Sequence, residues 1–129
     1  MILGQGIDIV QISRMTSGLE RFGEPFAKRL LSSSEWRDYQ RAPRPEAFLA
    51  KRFAAKEAFA KALGTGFRKG LSFRQISIVH DDLGAPGFSL SGQAQNLMKQ
   101  HAGALLHLSI SDEREYAVAL VTLESGDAS

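Results

Sequence analysis

The sequence predicts a single α+β domain in which helices dominate the first half and an antiparallel sheet dominates the second. Its 129 residues are 43% hydrophobic and 23% charged, as is usual for one globular domain. Apolar residues recur at helical spacing up to residue 63, whereas residues 73–123 are richer in alternating, β-branched segments. These patterns predict helices packed on a mainly antiparallel sheet. We expect the domain to span residues 1–124 and residues 125–129 to form a flexible tail.

The first half is predicted to begin with a strand, because residues 2–10 (ILGQGIDIV) are aliphatic and β-branched. Serines and prolines then mark the expected helix starts. In order, we expect a helix from a Ser13 cap to Phe22, a short helix starting at Glu24-Pro25, a serine loop at 32–34, and a helix capped by Ser34 that stops at Pro43.

The longest predicted helix covers residues 45–63, PEAFLAKRFAAKEAFAKAL. It is rich in Ala, Leu, Lys and Glu, opens with Pro45, and is followed by Gly64, a common residue just beyond a helix end. A glycine-rich basic loop, GTGFRKG, comes next. The apolar side of this helix is expected to consist of Phe48, Leu49, Phe53, Phe59 and Leu63.

The second half is predicted to contain four strands and one helix, from its alternating apolar residues and its turn residues. In order, we expect a strand at 73–79, a turn at 81–87 into a strand ending near Leu90, a helix at 91–101 capped by Ser91, and strands at 105–111 and 116–123. The turn Asp112-Glu113-Arg114 joins the last two strands, which should therefore pair as an antiparallel hairpin.

Composition excludes several classes of function. The chain has no cysteine, which rules out disulfides, thiolate catalysis and cysteine-based zinc sites. No apolar stretch approaches the roughly 20 residues of a membrane span. The first residues, Met-Ile-Leu-Gly, provide no basic leader before an apolar core, which argues against a signal peptide. We therefore expect a cytoplasmic protein without a membrane partner.

The net charge of +2 is unevenly distributed along the chain. Residues 1–69 carry 13 Lys or Arg against 7 Asp or Glu, whereas residues 70–129 carry 3 against 7. This asymmetry indicates an acidic or phosphorylated partner for the first half, with an uneven solvated surface as the alternative. Nucleic acid is disfavoured, because Phe48, Phe53 and Phe59 lie at core spacing and not on an exposed stacking surface.

Two carboxylates are candidates for metal and phosphate chemistry. Asp8 interrupts an apolar strand, where an unpaired carboxylate would be costly to bury. In the long helix, Glu57 and Lys61 share a face four residues apart, and Arg52 and Lys56 have the same spacing. A carboxylate among cations suits a magnesium ion that bridges to phosphates. From the residues alone, a hydrogen-bonded core acid and simple surface ion pairs are the alternatives.

Two further polar segments do not predict chemistry by themselves. Gly64-Thr65-Gly66 follows a helix, so it is neither a Rossmann nor a Walker loop, although glycines would let a ligand approach the backbone. His107, Ser109 and Ser111 share one strand face by their period-two spacing. A solvent-facing strand explains them equally well, and no catalytic triad can be argued from them.

Three segments in this order resemble holo-[acyl-carrier-protein] synthases, the small stand-alone members of the 4′-phosphopantetheinyl transferase superfamily. They are GIDIV near the N-terminus, FLAKRFAAKEAFAKALGTG at 48–66 and HLSISDEREYA at 107–117, and the resemblance spans residues 2–124, with LSF at 71–73. It implies an enzyme that uses magnesium and coenzyme A. In such enzymes a serine of apo acyl carrier protein attacks the β-phosphate, phosphopantetheine is transferred for fatty acid biosynthesis, and adenosine 3′,5′-bisphosphate leaves.

The same resemblance implies residue roles. Asp8 and Glu57 match the carboxylates that ligate magnesium, and Lys61 matches the lysine beside the reacting phosphate, so these three form the expected catalytic set. The family forms homotrimers with active sites between subunits. The implied coenzyme contacts are Arg52, Lys56, Gly64, Thr65 and Gly66, with His107 and Ser109 contributed by a neighbouring subunit. The residues implied to dock the acidic carrier protein are Arg14, Arg21, Lys28 and Arg29.

The chain departs from the family pattern at two positions. Asp112 stands where many relatives have a histidine, and Ala85 precedes Pro86 where a basic residue is common. The group that deprotonates the serine stays open among Glu57, Asp8 and a metal-bound water. The main alternative function is a transferase for carrier domains of larger synthases, which the compact length disfavours. The second is a non-enzymatic nucleotide- or nucleic-acid-binding module.

Overall fold

The computed structural model describes residues 1–101 and 103–126 and confirms the α+β class. None of the helices in these ranges is both long enough and apolar enough to cross a membrane. The elements in chain order are β1 (Ile2–Gln11), α1 (Ile12–Phe22), α2 (Glu24–Leu30), α3 (Ser33–Arg41), α4 (Pro45–Leu63), a 3₁₀ turn (Phe73–Gln75), β2 (Ile76–His80), β3 (Pro86–Leu90), α5 (Gly92–Lys99), β4 (Leu105–Asp112) and β5 (Tyr116–Glu124).

The strands form two antiparallel sheets. The larger has the strand order β1-β5-β4, and β2 pairs with β3 in a separate two-stranded sheet. The predicted hairpin of the last two strands is confirmed. In the larger sheet Asp8 lies opposite Ala119, which lies opposite Ile110 on the far strand. Since side chains alternate between the two faces, this row of three lies on the face that packs against α4.

Helix α4 lies directly on β1 and holds the centre of the fold. Pro45 in its first turn and Gly64, at φ 78° beyond its end, give it the predicted bounds. A Cβ at Gly4 would lie 2.1 Å from the carbonyl oxygen of Ala62, and one at Gly6 would lie 2.0 Å from that of Ala58. Only glycine allows this approach of helix to strand, which brings the side chains of β1 and α4 together.

The core lies between α4 and the inner face of the larger sheet, with α1 and α2 closing one side. Of the predicted apolar side of α4, Leu49 and Phe59 are fully buried, while Phe48, Phe53 and Leu63 are partly buried and pack against the core. Much of the rest of α4 is alanine, and small side chains on several faces allow neighbours to pack around the helix.

The predicted start of α1 is wrong by two residues, and Ser13 does not cap it. The helix begins at Ile12, and Gln11 occupies the capping position without a side-chain hydrogen bond. The backbone N–H of Ile12 donates instead to the carbonyl oxygen of Glu115 at 2.8 Å. Because β1 runs straight into the helix, a neighbouring loop satisfies the first free N–H group.

The predicted start of α3 is also wrong, because Ser32 and not Ser34 caps it. The Ser32 side chain accepts from the Glu35 N–H, and the Glu35 carboxylate accepts from the Ser32 N–H at 3.0 Å. This reciprocal capping places Ser33 and Ser34 inside the helix, where the sequence had indicated a loop.

Smaller differences occur in the second half. The segment predicted as a strand from residue 73 begins with the 3₁₀ turn, and β2 starts at Ile76. Helix α5 ends at Lys99, two residues before the predicted end. In the expected tail, the Ser125 N–H donates to the carbonyl oxygen of Met1 at 2.7 Å, and residues 127–129 lie outside the described residues.

Candidate active site

Asp8 and Lys61 meet where β1 runs beside α4. Asp8 points toward the helix, on the same strand face as the buried Gly6 and Val10. Nζ of Lys61 donates to Oδ1 of Asp8 at 3.1 Å and to the carbonyl oxygen of Ile7 at 2.9 Å. The Asp8 side chain is 16% exposed and that of Lys61 is 51% exposed. The two groups therefore form an ion pair that is open to solvent on the lysine side.

Glu57 lies one helical turn before Lys61 and is half-buried beside this pair. Burial raises the pKa of Glu57, and the negative charge of Asp8 raises it further. The positive charges of Lys61 and Arg14 partly oppose the rise. The structure thus brings together Asp8, Glu57 and Lys61, the three side chains expected to form the catalytic set, in one electrostatically coupled cluster.

Lys56, an expected coenzyme contact, lies in the interior and is 0% exposed. Its Nζ donates to Oε1 of Glu35 at 2.5 Å and to the carbonyl oxygens of Leu30 at 2.7 Å and Phe73 at 3.1 Å. Burial lowers the pKa of Lys56, and Glu35 opposes that shift. An ammonium group has three N–H donors, and all three are used. This geometry argues against a direct contact between Lys56 and the coenzyme.

Arg52 is also buried, but it borders a surface cleft. Its guanidinium lies 4.0 Å from the centroid of the Phe48 ring, and its Nε lies 3.7 Å from Oε2 of Glu35. That Nε is buried and makes no hydrogen bond within the described part of the chain. Lys51 and His80 line the same cleft, and burial, followed by the charges of Arg52 and Lys51, lowers the pKa of His80. The cleft therefore places these cations beside an acid, since Asp112 also lines it and its Oδ1 lies 3.9 Å from Nζ of Lys51.

Neither Lys51 nor His80 was predicted as a site residue. Lys51 precedes Arg52 directly, but adjacent helix residues point in different directions, so this spacing carried no signal. His80 ends β2, and only the pairing of β2 with β3 brings it to the cleft.

The Gly64-Thr65-Gly66 segment closes α4 with left-handed backbone at both glycines, at φ 78° and 60°. Backbone N–H groups of the two glycines donate to the carbonyl oxygens of Lys61 and Ala60. A Cβ built at either glycine would meet no atom within 4 Å, so the space beside the segment is open. The segment is a helix end with room for a ligand next to its backbone.

His107 and Ser109 are not brought to the Asp8 cluster within one chain. They point to the outer face of the larger sheet, whereas Asp8 points inward. Nε2 of His107 lies 2.9 Å from Oε1 of Glu124, and Ser109 is exposed. The predicted common face of His107, Ser109 and Ser111 is confirmed by the alternating exposure of β4.

Comparison with known proteins decides the family of the chain. A model of the 4′-phosphopantetheinyl transferase superfamily matches residues 4–121. The chain belongs to this superfamily. Holo-[acyl-carrier-protein] synthase of Photorhabdus laumondii is 53% identical over 123 residues, which cover 95% of this chain and 98% of that protein.

Solved structures of phosphopantetheinyl transferases have the same fold. The holo-[acyl-carrier-protein] synthase of Neisseria meningitidis is 44% identical with a TM-score of 0.91, and the match covers 96% of this chain and 99% of that one. The Bacillus anthracis synthase, in complex with CoA (3′,5′-ADP), is 40% identical with a TM-score of 0.79, covering 97% and 98%.

The donor atoms of this transferase fit the magnesium ion that the family resemblance implies. Among residues 1–101 and 103–126, no group of three or more His, Cys, Asp or Glu side chains could hold a metal ion. Magnesium needs fewer protein ligands, because it takes one or two carboxylates together with phosphate oxygens and waters. Asp8 and Glu57 provide two coupled carboxylates, and a cation, the Lys61 ammonium, already rests on Asp8.

The first two helices of the transferase carry the expected docking cations, and all four are exposed. Arg14, Arg21 and Lys28 each lie over an aromatic ring, at 5.0, 5.2 and 5.1 Å from its centroid. Arg29 lines a cleft with Phe26. Aromatic faces hold three of these cations at the surface, and Lys28 also lies 3.9 Å from Oε2 of Glu24. The exposed basic surface that remains suits recognition of an acidic partner.

Proposed function

We propose that this chain transfers 4′-phosphopantetheine from coenzyme A to a serine of apo acyl carrier protein, in support of fatty acid biosynthesis. The products are holo acyl carrier protein and adenosine 3′,5′-bisphosphate. The observation that carries the proposal is the cluster of Asp8, Glu57 and Lys61. It occurs in a chain that spans 98% of a holo-[acyl-carrier-protein] synthase at 53% identity. This coverage favours the small type over the transferases of larger synthases.

In the proposed reaction, the serine Oγ forms a bond to the β-phosphorus of coenzyme A, and the bond from that phosphorus to the bridging oxygen breaks. Asp8 and Glu57 would hold magnesium, which, when bound, neutralises the diphosphate charge. Lys61, half-exposed beside them, would donate to phosphate oxygens. A carboxylate of this cluster would accept the proton of the serine hydroxyl, directly or through a water.

Coenzyme binding is proposed at two places around α4. The Gly64-Thr65-Gly66 segment offers open backbone next to the Asp8 cluster, within one turn of Lys61. The cleft lined by Arg52, Lys51 and His80 is the second place, where cations would meet the remaining phosphate charge of the coenzyme once Lys51 exchanges Asp112 for phosphate. We place the reaction in the cytoplasm, which the absence of cysteine supports.

We propose that the enzyme works as a homotrimer with sites between subunits. His107 and Ser109 point away from Asp8 within one chain, so only a neighbouring copy can bring them to the cluster. The outer sheet face on which they lie also exposes Ile7, Ile9 and Leu120. An exposed apolar face with a polar rim is typical of a protein interface.

The decisive experiment is a mass measurement on apo acyl carrier protein incubated with the enzyme, coenzyme A and magnesium. We expect a mass increase of one phosphopantetheinyl group, and none when the metal is removed by a chelator, because phosphoryl transfer needs its charge neutralised. No increase across several divalent metals and carrier proteins would exclude the proposed function. It would leave the binding-module alternative, although the burial of Phe59 and the packing of Phe53 against Phe73 leave neither ring free as a stacking platform.

Carrier docking is proposed on the basic helices α1 and α2. The double variant Arg14→Glu/Arg21→Glu should raise KM for the carrier protein about tenfold or more, because two attractions become repulsions. KM for coenzyme A should change less than threefold, and the carrier effect should shrink as salt rises, since exposed charges are screened. The matched control is Arg41→Glu, which reverses an exposed charge at the end of α3, outside the proposed docking surface. Equal losses for both substrates would refute the docking surface.

A further inference from the structure

The Lys61 ammonium occupies one of the two Asp8 carboxylate oxygens that a metal ion could use. It donates to Oδ1 of Asp8 at 3.1 Å and to the carbonyl oxygen of Ile7 at 2.9 Å. The Asp8 side chain is much less exposed than that of Lys61, so the pair is open to solvent mainly on the lysine side. A metal ion bound to Asp8 would lie within a few ångströms of this ammonium group. The two positive charges repel each other strongly at such a distance.

The base of the Lys61 side chain is fixed by packing, while its charged end is half-exposed and held only by its two hydrogen bonds. Its Cβ lies against Gly6, where a built Cβ would be only 2.8 Å away, and its backbone belongs to the last turn of α4. The rest of the side chain is a flexible four-carbon stem that is half-exposed. The ammonium can therefore leave Asp8 by rotation of its own side chain, without any change in the helix.

We propose that Lys61 is an exchangeable counter-ion: it neutralises Asp8 in the metal-free enzyme and leaves Asp8 when magnesium binds. The inference rests on the proposed function, because the released ammonium then points to the phosphates that arrive with the coenzyme. Metal binding and phosphate binding therefore favour each other. The metal repels Lys61 toward the phosphates, and the phosphates attract Lys61 away from Asp8, so that each ligand binds more strongly when the other is present. Whether the metal site is occupied therefore determines where the Lys61 ammonium group donates its hydrogen bonds.

The first test measures binding of Mn²⁺ alone, without coenzyme, by electron paramagnetic resonance; Mn²⁺ prefers the same oxygen ligands as magnesium. Lys61→Met should bind Mn²⁺ about fivefold more tightly than the wild type, the gain expected from removing a partly exposed competing ion pair. Lys61→Gln, which keeps a donor for the Ile7 carbonyl oxygen but not the charge, should behave in the same way.

Arg14→Gln is the matched control, because Arg14 acts on Glu57 through its charge but makes no hydrogen bond or ion pair with Asp8 in the described structure. It should change Mn²⁺ affinity by less than twofold. An equal gain in Arg14→Gln would show a general field effect and overturn the exchange. Unchanged or weaker binding by Lys61→Met, or no Mn²⁺ binding by any of these proteins, would overturn it as well.

The second test follows the lysine itself by nuclear magnetic resonance. The ε-methylene signal of Lys61, assigned by its loss in Lys61→Met, should shift during a Mg²⁺ titration with the same midpoint as metal binding. In Asp8→Asn the signal should already lie near its metal-bound position without Mg²⁺. A signal that stays constant while metal binds would refute the proposal. Such a failure is distinct from failure of the proposed function, which the carrier-protein mass assay decides without reference to Lys61 exchange.

Discussion

The Asp8→Asn enzyme is expected to modify acyl carrier protein about a hundredfold more slowly than the wild type. Loss of one of the two carboxylates proposed to hold magnesium would remove a few kcal/mol of charge stabilisation, and each 1.4 kcal/mol corresponds to a tenfold change in rate. The fold should be almost unaffected, because the ion pair of Asp8 with half-exposed Lys61 contributes less than about 1 kcal/mol. Turnover at saturating coenzyme A, followed by mass spectrometry, measures the effect.

Two comparisons make this result specific. Raising the magnesium concentration should recover part of the lost rate in Asp8→Asn, because Glu57, the other proposed ligand, would hold the ion more weakly alone. Asp82→Asn, which changes an exposed carboxylate in the turn before β3, should stay within about twofold of the wild type. Wild-type turnover in Asp8→Asn would remove Asp8 from the metal site.

Lys56→Ala is expected to lower the free energy of unfolding by about 3–5 kcal/mol, the usual cost of removing one partner from a buried ion pair. Glu35 is 2% exposed, and without Lys56 its carboxylate would lose the shortest of its contacts. The carbonyl oxygens of Leu30 and Phe73 would lose a donor at the same time. The midpoint of urea unfolding should fall while the dependence of the unfolding free energy on urea stays constant.

The single variant Lys56→Met separates charge from packing. It keeps most of the side-chain volume of Lys56 but leaves the buried Glu35 carboxylate without the ammonium, so it should be destabilised nearly as much as Lys56→Ala if the buried charge dominates. Lys99→Ala, which removes an exposed lysine at the end of α5, should change stability by less than about 0.5 kcal/mol. A loss below about 1 kcal/mol in Lys56→Ala would show that the interior pair is not required for the fold.

The sequence predicted the elements well where local chemistry determines them. Pro45 and Gly64 bound α4 by backbone conformation, so both of its ends are correct. The start of α1 was missed, because its first N–H is satisfied by Glu115, which is about a hundred residues away along the chain. The cap of α3 was placed at Ser34 because three consecutive serines are equally good caps, and only the reciprocal bonds with Glu35 select Ser32.

The sequence could group part of the candidate site, but it could not show which of the expected cations are buried. Asp8, Glu57 and Lys61 could be grouped because a strand acid and a helical i,i+4 pair are visible in the sequence, and the structure brings them together. The spacing of Arg52 and Lys56 looks the same, but both are buried by a long-range partner, Glu35 of α3. Periodicity within one helix cannot show which neighbour covers which face.

The role of Gly4 and Gly6 was also missed, although their spacing carried a signal. Together with Asp8 they alternate along one face of β1, and two glycines on one strand face indicate that another backbone approaches closely. This contact explains how a strand carboxylate comes within reach of a lysine on α4.

On α4 the interior Lys56 and the exposed-side Glu57 are consecutive residues, and this adjacency makes the helix intolerant of insertions and deletions. One added residue would rotate everything beyond it by about 100°, because an α-helix has 3.6 residues per turn. An insertion before Lys56 would move the buried ammonium away from Glu35 and the site carboxylate away from Asp8 together. A point substitution in α4 affects one position. A one-residue insertion or deletion within the helix would instead disrupt the buried pair and the candidate site together.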